Sequence, residues 1–267
     1  MADSSRSRFV SLVTVFFKVG VLNEMAYRAN FWIQLFESLL GLGTALATVF
    51  VVFAQTDQLG GWHRSELISL LGIYFLVLGS INFVIAPSLS KFMQDVVDGN
   101  LDFTLTKPAD SQLLVSISEF RIWKLIDVIM GFIVLGVGLS QRAAEIGLQQ
   151  ALVFGVSLVA AGAIVYSFWV VLATLAFWFI RIENITQVFW AMYVAGRWPV
   201  TIYPDWLRWI LTMLVPIAFA VTVPAQAVSG RLDGGTLGGA ILLAAALLIF
   251  SRWFWKIGVR FYAGASA

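Results

Sequence analysis

The side chains that could do chemistry are few and scattered. His63 is the only histidine and there is no cysteine. Disulfides, thiol catalysis and thiolate metal sites are therefore excluded, and no metal site is expected. His63, beside Trp62 in a polar link, reads as a surface residue. No lysine follows a glycine, so the phosphate-cradling loop ending in Gly-Lys is absent. No catalytic residue and no cofactor are expected on this chain, and any nucleotide chemistry coupled to it belongs to another. What remains is Glu37 and Asn82 within apolar runs, Lys124 and Asp127 three residues apart, and a polar stretch over residues 88–118. A carboxyl group at membrane depth must face a bundle, find a partner or stay protonated. Glu37, and more mildly Asn82, are thus candidates for a substrate pathway, with a structural or interface role for Glu37 equally open. Lys124 and Asp127 share a helix face and read as a local ion pair.

The elements that hold these residues follow from composition. Hydrophobic residues make up 60% of the 267, charged residues 12%, and the mean hydropathy is +0.89. A soluble domain carries about a quarter charged residues, so lipid is the solvent that this chain fits. A net charge of +2 points to no nucleic-acid partner. Apolar runs predict six spans, at 31–53, 67–85, 122–139, 148–180, 184–203 and 237–253, with Pro87 ending the second. Residues 9–22 form an apolar run interrupted by Lys18, too short and too charged to span. With the rest of residues 1–30 they read as an interfacial helix; lacking a cleavage site, it is expected to be retained rather than removed as a signal.

Residues 204–229 contain Pro204, Pro216 and Pro224, and read either as a seventh span or as a re-entrant hairpin after the fifth. The basic residues choose between these. With six spans and both termini inside, twelve of the 17 Lys and Arg lie inside, leaving outside only Arg64, Arg142, Arg197, Arg208 and Arg231, as the positive-inside rule asks. Trp32, Trp123, Trp178, Trp253 and Trp255 fall near inner boundaries, and Trp62, Trp198, Trp206 and Trp209 near outer ones; Trp169 and Trp190 fit less well. The small residues Gly155, Ala161, Gly162, Gly238, Gly239 and Ala244 read as helix-packing positions in the fourth and sixth spans. The expected architecture is an all-α membrane protein with one transmembrane domain over residues 1–267.

Two stretches could carry function. In the inner loop, Phe92, Val96 and Val97 line one side of a short helix, with Gln94, Asp95 and Asp98 on the other, and Gly99 sits where a left-handed cap ends it. Such a helix suits docking into a groove on a soluble partner, and equally suits a loop resting its apolar side on the bilayer. The second stretch, residues 196–226, breaks helical backbone at membrane depth, which requires burial in protein or a wet cavity. Arg197, Trp198, Pro199, Tyr203, Pro204, Trp206 and Pro216 then form either a rigid outer lid or an ordinary loop on the headgroups.

Four segments bear a resemblance: EMAYRANFW (24–32), DGNLDFTLTKPAD (98–110), LAFWFIRIENI (175–185) and GRWPVTIYPDWLRWILTMLVPIAFAVTVPAQAVSG (196–230). Together and in this order they resemble the type-2 ABC exporter permeases, in the short bacterial branch with single-permease chains. The resemblance implies six spans, a connecting helix over residues 9–22 and a coupling helix over residues 90–99. Lys91, Phe92, Gln94, Asp95, Val96, Asp98, Gly99 and Asp102 would then meet an ATPase, with Arg181 and Glu183 as a second, smaller contact. Residues 203–229 would form the outer gate. It further implies two ATP-binding-cassette subunits holding ATP and Mg, a second copy or a related permease, and placement in the bacterial inner membrane. A hydrophobic or amphipathic small molecule or a lipid is the expected cargo. An ATP-independent channel or ion-coupled carrier is the alternative; a membrane enzyme or a scaffold is a more distant one.

Overall fold

The computed structural model describes residues 13–22, 28–141, 147–179 and 183–262. Of the residues singled out above, Arg181 and the side chain of Glu183 lie outside this set, as do Arg6, Arg8, Glu24 and Arg142. The described residues are helical, with no strand among them and one isolated bridge, Leu59 to Trp62. The helices are α1 (Val13–Leu22), α2 (Arg28–Phe53), α3 (Arg64–Ser80), α4 (Ala86–Val97), α5 (Asp102–Leu105), α6 (Ser111–Ser116), α7 (Leu125–Ser140), α8 (Leu148–Thr174), α9 (Glu183–Tyr193), α10 (Asp205–Trp209), α11 (Val223–Val228) and α12 (Gly234–Phe261). Among the described residues five helices are long and apolar enough to cross a membrane: Ala29–Phe53, Arg64–Val97, Ile122–Ser140, Leu148–Phe177 and Gly234–Phe261.

The second of these corrects the sequence reading. Pro87 does not end the helix; α3, a π segment at Ile81–Ile85 and α4 run on as one 34-residue helix. A proline cannot donate to the carbonyl four residues back and its ring crowds that turn. The chain answers by widening to i→i+5 bonding just before it. The Phe83 carbonyl that Pro87 leaves free accepts instead from the Arg121 backbone N–H at 2.9 Å. The same device recurs: π segments at Ile210–Leu214 and Ala218–Thr222 each end two residues before a proline, Pro216 and Pro224.

The continuous helix is also the hub of the bundle. Its most apolar window is 67% buried, against 17% for the first and last spans. Against it packs α7, so closely that a Cβ added at Gly131 would lie 2.5 Å from the Leu76 backbone nitrogen; Gly72, Gly79 and Gly138 sit at the same seam. This glycine seam joins the second and third spans; the fourth and sixth also pack, with Gly258 on α12 against Thr174 and Phe177. There, Ala161 and Ala244 are buried as packing positions, while Gly155, Gly162, Gly238 and Gly239 meet nothing within 4 Å.

Two sets of contacts fix which side each turn lies on. On one side, residues 54–63 close through a tight turn in which Gly60 and Gly61 have φ of 57° and 82°, the left-handed pair that a two-residue hairpin turn needs. Trp62 Nε1 donates to Thr201 Oγ1 at 3.1 Å, and Arg231 reaches Glu66 at 2.8 Å. Thr201 precedes and Arg231 follows the bent pair Asp205–Leu214 and Ala218–Val228, whose arms meet at 82°. The pair therefore enters and leaves on one side: it is a re-entrant hairpin, not a span. On the opposite side, Phe92 near the end of α4, Phe177 in the 3-10 turn that continues α8 and Trp255 near the end of α12 pack ring to ring. The chain must then cross between Phe177 and Thr201, through α9 and the 3-10 turns after it, and this makes the sixth crossing. The span expected at 184–203 is thus α-helical only through Tyr193.

Candidate functional site

The side of the bundle that carries residues 98–118 is built around the end of the continuous helix. At 1.5 Å per residue its 34 residues reach about 50 Å, against a hydrocarbon core of about 30 Å, so the helix is longer than a span requires. The helix ends at Gly99 (φ 73°). There Asn100 N–H donates to the Asp95 carbonyl at 2.8 Å and Gly99 N–H to Val96 at 3.4 Å, the paired bonds of a Schellman cap. The cap expected at Gly99 is present. A separate helix across the membrane face is not: residues 90–97 are the final turns of α4.

Exposure divides the expected coupling residues. Phe92 is 1% exposed and held between Phe177 and Trp255, and Val96 packs against the core. Lys91, Gln94, Asp98 and Asp102 are exposed and Asp95 is half-buried. Val97 and Phe103, the latter 73% exposed, add an apolar component. Phe103 carried no signal in the sequence, because the turn that turns it outward depends on the cap.

A polar cluster braces this platform from behind. Asp110 N-caps α6, accepting from Leu113 N–H at 3.1 Å, and takes a two-point ion pair from Arg252 on α12, one arm at 2.8 Å. Burial works to raise the Asp110 carboxyl, but the Arg252 guanidinium and the Leu113 N–H outweigh it and leave it below the usual carboxylate range. Arg252 also reaches Gln112 at 3.0 Å, Ser116 bonds Tyr166 at 2.9 Å, and Trp255 Nε1 donates to Ser111 at 3.1 Å. Neither Asp110 nor Arg252 stood out as a pair in the sequence, since 142 positions separate them.

On the opposite side, Arg197, Trp198 and Tyr203 line a cavity of about 320 Å³ between α2, α3 and α9, together with Ala45, Thr48, Val49 and Leu71. Tyr203 donates to the Ala195 carbonyl at 3.0 Å and Val200 N–H to Thr222 at 3.2 Å, tying the 3-10 turns to the hairpin. Pro199 is buried, Pro204 starts α10, Trp206 is 65% exposed and Pro216 marks the 82° bend. Of the expected gate residues, Arg197, Trp198 and Tyr203 share the cavity lining, and the 3-10 turns that carry them are bonded to the hairpin. Glu66, 1% exposed, clasps it: its carboxylate accepts from Arg231 and from His63 N–H, both at 2.8 Å.

The candidates within spans separate. Lys124 and Asp127 pair at 3.8 Å as expected, and buried Asp127 also accepts from Ser38 on α2. Glu37 does not point into its own bundle; it lies on the exposed face of α2 among Trp32, Ile33, Phe36 and Leu40. Asn82 lies half-buried in the first π segment, away from the cavity lining. The structure does not bring Glu37 and Asn82 together as a path. No group of three or more metal-ligating side chains occurs among the described residues.

Neither the curated proteins nor the solved structures compared with this chain give a match. The family described as ABC-2 family transporter protein matches over residues 39–266, which takes in the second to sixth crossings, the loop platform and the hairpin. Five long apolar helices, a re-entrant pair and a family match over most of the length agree, and this chain belongs to the ABC-2 transporter family as a multi-pass membrane permease.

Proposed function

We propose that the chain is the membrane path of an ATP-driven exporter in the bacterial inner membrane, with the platform side and both termini cytoplasmic. Two separate ATP-binding-cassette subunits supply ATP and Mg, and a second copy or a related permease completes the path. Hydrophobic or amphipathic small molecules or lipids are the cargo. One observation carries the reading: Lys91, Gln94, Val97, Asp98, Asp102 and Phe103 are exposed at and just after the end of a helix longer than the lipid core, while Phe92 anchors that end to the last span. A mixed polar and apolar helix end is the surface a groove on a soluble partner takes. Because Phe92, Phe177 and Trp255 lock α4 to α8 and α12, a push on the platform is delivered to three spans at once. The exposed face of α2, with Glu37 on it, suits the second permease, where a buried carboxyl would find its partner.

The absence of cysteine allows a direct test. Single Cys variants at Gln94, Phe103 and Phe92 are treated with a bifunctional cross-linker in native membranes. Gln94→Cys and Phe103→Cys should join the chain to an ATPase and Phe92→Cys should not. Equal yields from all three, or no ATPase adduct, would overturn the docking surface.

A further inference from the structure

The cavity behind the gate contains an unusual charge. Arg197 is the only ionisable group in its lining apart from Tyr203; the rest is Ala45, Thr48, Val49, Leu71, Ala191, Val194, Ala195 and Trp198. Among the described residues no carboxylate forms an ion pair with Arg197, and its Nε is buried without a hydrogen-bond partner. The half-buried guanidinium stands 5.6 Å from the Tyr74 ring centroid and also hydrogen-bonds the Tyr74 side chain, a neutral partner that orients the fork without cancelling its charge. The neighbouring arginines differ in having acidic partners: Arg208, whose Nε is likewise without a hydrogen bond, pairs with Asp205 and bonds the carbonyls of Thr201 and Tyr203, and Arg231 pairs with Glu66. An unneutralised guanidinium in an apolar pocket is costly, unless an anion arrives to complete it. A planar fork with a free N–H is matched by a carboxylate or phosphate oxygen. The cavity opens sideways, where Thr48, Ala191 and Val194 are exposed, and about 320 Å³ is at the small end of ligand pockets. That admits a headgroup with the first part of a chain and leaves the remaining chain in the lipid outside.

We propose that this cavity is the substrate headgroup site, and that it takes an amphiphile bearing one oxyanion, phosphate or carboxylate, held by Arg197 with its chain along Val49 and Val194. As a substrate site it rests on the exporter reading above; as a binding site it stands on its own. The class is narrower than hydrophobic cargo in general, and it excludes cationic amphiphiles.

Trp198 in the lining provides the readout. The full chain in neutral-lipid nanodiscs is titrated with chain-brominated dodecyl phosphate, dodecyl trimethylammonium and dodecyl maltoside, following quenching of tryptophan fluorescence. Saturable quenching by the phosphate alone is expected, lost with Trp198→Phe and weakened at least tenfold by Arg197→Gln. Arg197→Lys should recover part of it, which separates charge recognition from a folding defect. Displacement of the phosphate amphiphile by unbrominated phosphatidic acid, read as recovery of fluorescence, but not by equimolar inorganic phosphate supports an amphiphile. Displacement by inorganic phosphate makes the ligand a free oxyanion and overturns the proposal, as does equal binding to wild type and Arg197→Gln. If quenching behaves as expected but no ATPase associates with the chain, the exporter reading fails and the anion site remains.

Discussion

Glu66 and Asp110 show how single carboxylates fix opposite sides of the molecule. Glu66 is buried and meets Arg231, which follows the hairpin, and the His63 N–H, which opens α3. Replacing it with alanine leaves Arg231 without its acidic partner and two donors unsatisfied. Because Arg231 is 37% exposed, a loss of about 3 kcal/mol, at the lower edge for buried pairs, is expected. The melting temperature of Glu66→Ala in detergent should fall clearly, with Glu66→Gln falling less. Asp110 titrates below the ordinary carboxylate value because Arg252 and the Leu113 N–H prevail over burial. Its contribution to stability is therefore complete above about pH 4, the unfolded value, and is lost as pH falls through the lower folded value. A melting series from pH 7 to pH 3 should show that loss in the wild type, while Asp110→Asn should be less stable at neutral pH and lack this acid step. Neither carboxylate was legible as a site in the sequence: each partner lies more than 100 positions away, and nothing in local spacing encodes such a pairing. The Lys124–Asp127 pair was legible because three residues on a helix are neighbours by geometry alone.

At the scale of elements, periodicity and length located the spans, and proline misplaced one boundary. A proline in sequence marks a turn that loses a hydrogen bond, but not whether the helix stops or widens. At Pro87 the helix widens and continues, since Arg121 takes up the freed Phe83 carbonyl; at Pro216 the arms part by 82°. That choice depends on a distant N–H and is invisible locally. The glycine cap at Gly99 was legible, because a positive φ is a local requirement. The helix seam was not, since glycines occur in every span and only the paired backbones show which are crowded. Gly131→Val should push α7 from α3 and cost about 1–3 kcal/mol, whereas Gly155→Ala, with open space around it, should leave the melting temperature unchanged or slightly higher. Parallel thermal unfolding of the two variants checks the assignment.

For the whole molecule, composition alone identified lipid as the solvent, and the structure shows how that surface is distributed. Ile129, Phe132 and Ile133 on α7, Leu152 and Val159 on α8, and Leu242 and Ile249 on α12 are all exposed, far more apolar surface than a soluble protein presents. The exposed tryptophans Trp178 and Trp253 lie on the platform side, with Trp178 stacked on Phe254, and Trp206 and Trp209 lie in the hairpin on the gate side, the positions an interfacial belt uses. Trp169, which fits the belt poorly, is buried in the protein, and so are Trp62 and Trp255, assigned to boundaries by sequence position. Between the two sides the hub helix runs unbroken from Arg64 to Val97, joining the gate clasp at Glu66 to the platform at Lys91. Movement imposed at one end would pass to the other through a helix that widens at Ile81–Ile85 but does not break, which is what the proposed coupling to a partner requires.

The most direct measurement is ATP hydrolysis by the partner subunit, purified with the tagged full chain from native membranes and reconstituted in nanodiscs. Wild type should retain a vanadate-sensitive ATPase, and Phe103→Asp or Val97→Asp should lose most of it while the permease itself remains folded by thermal melting. An ATPase that stays bound and equally active with both variants, or none that accompanies the wild type, would contradict the account.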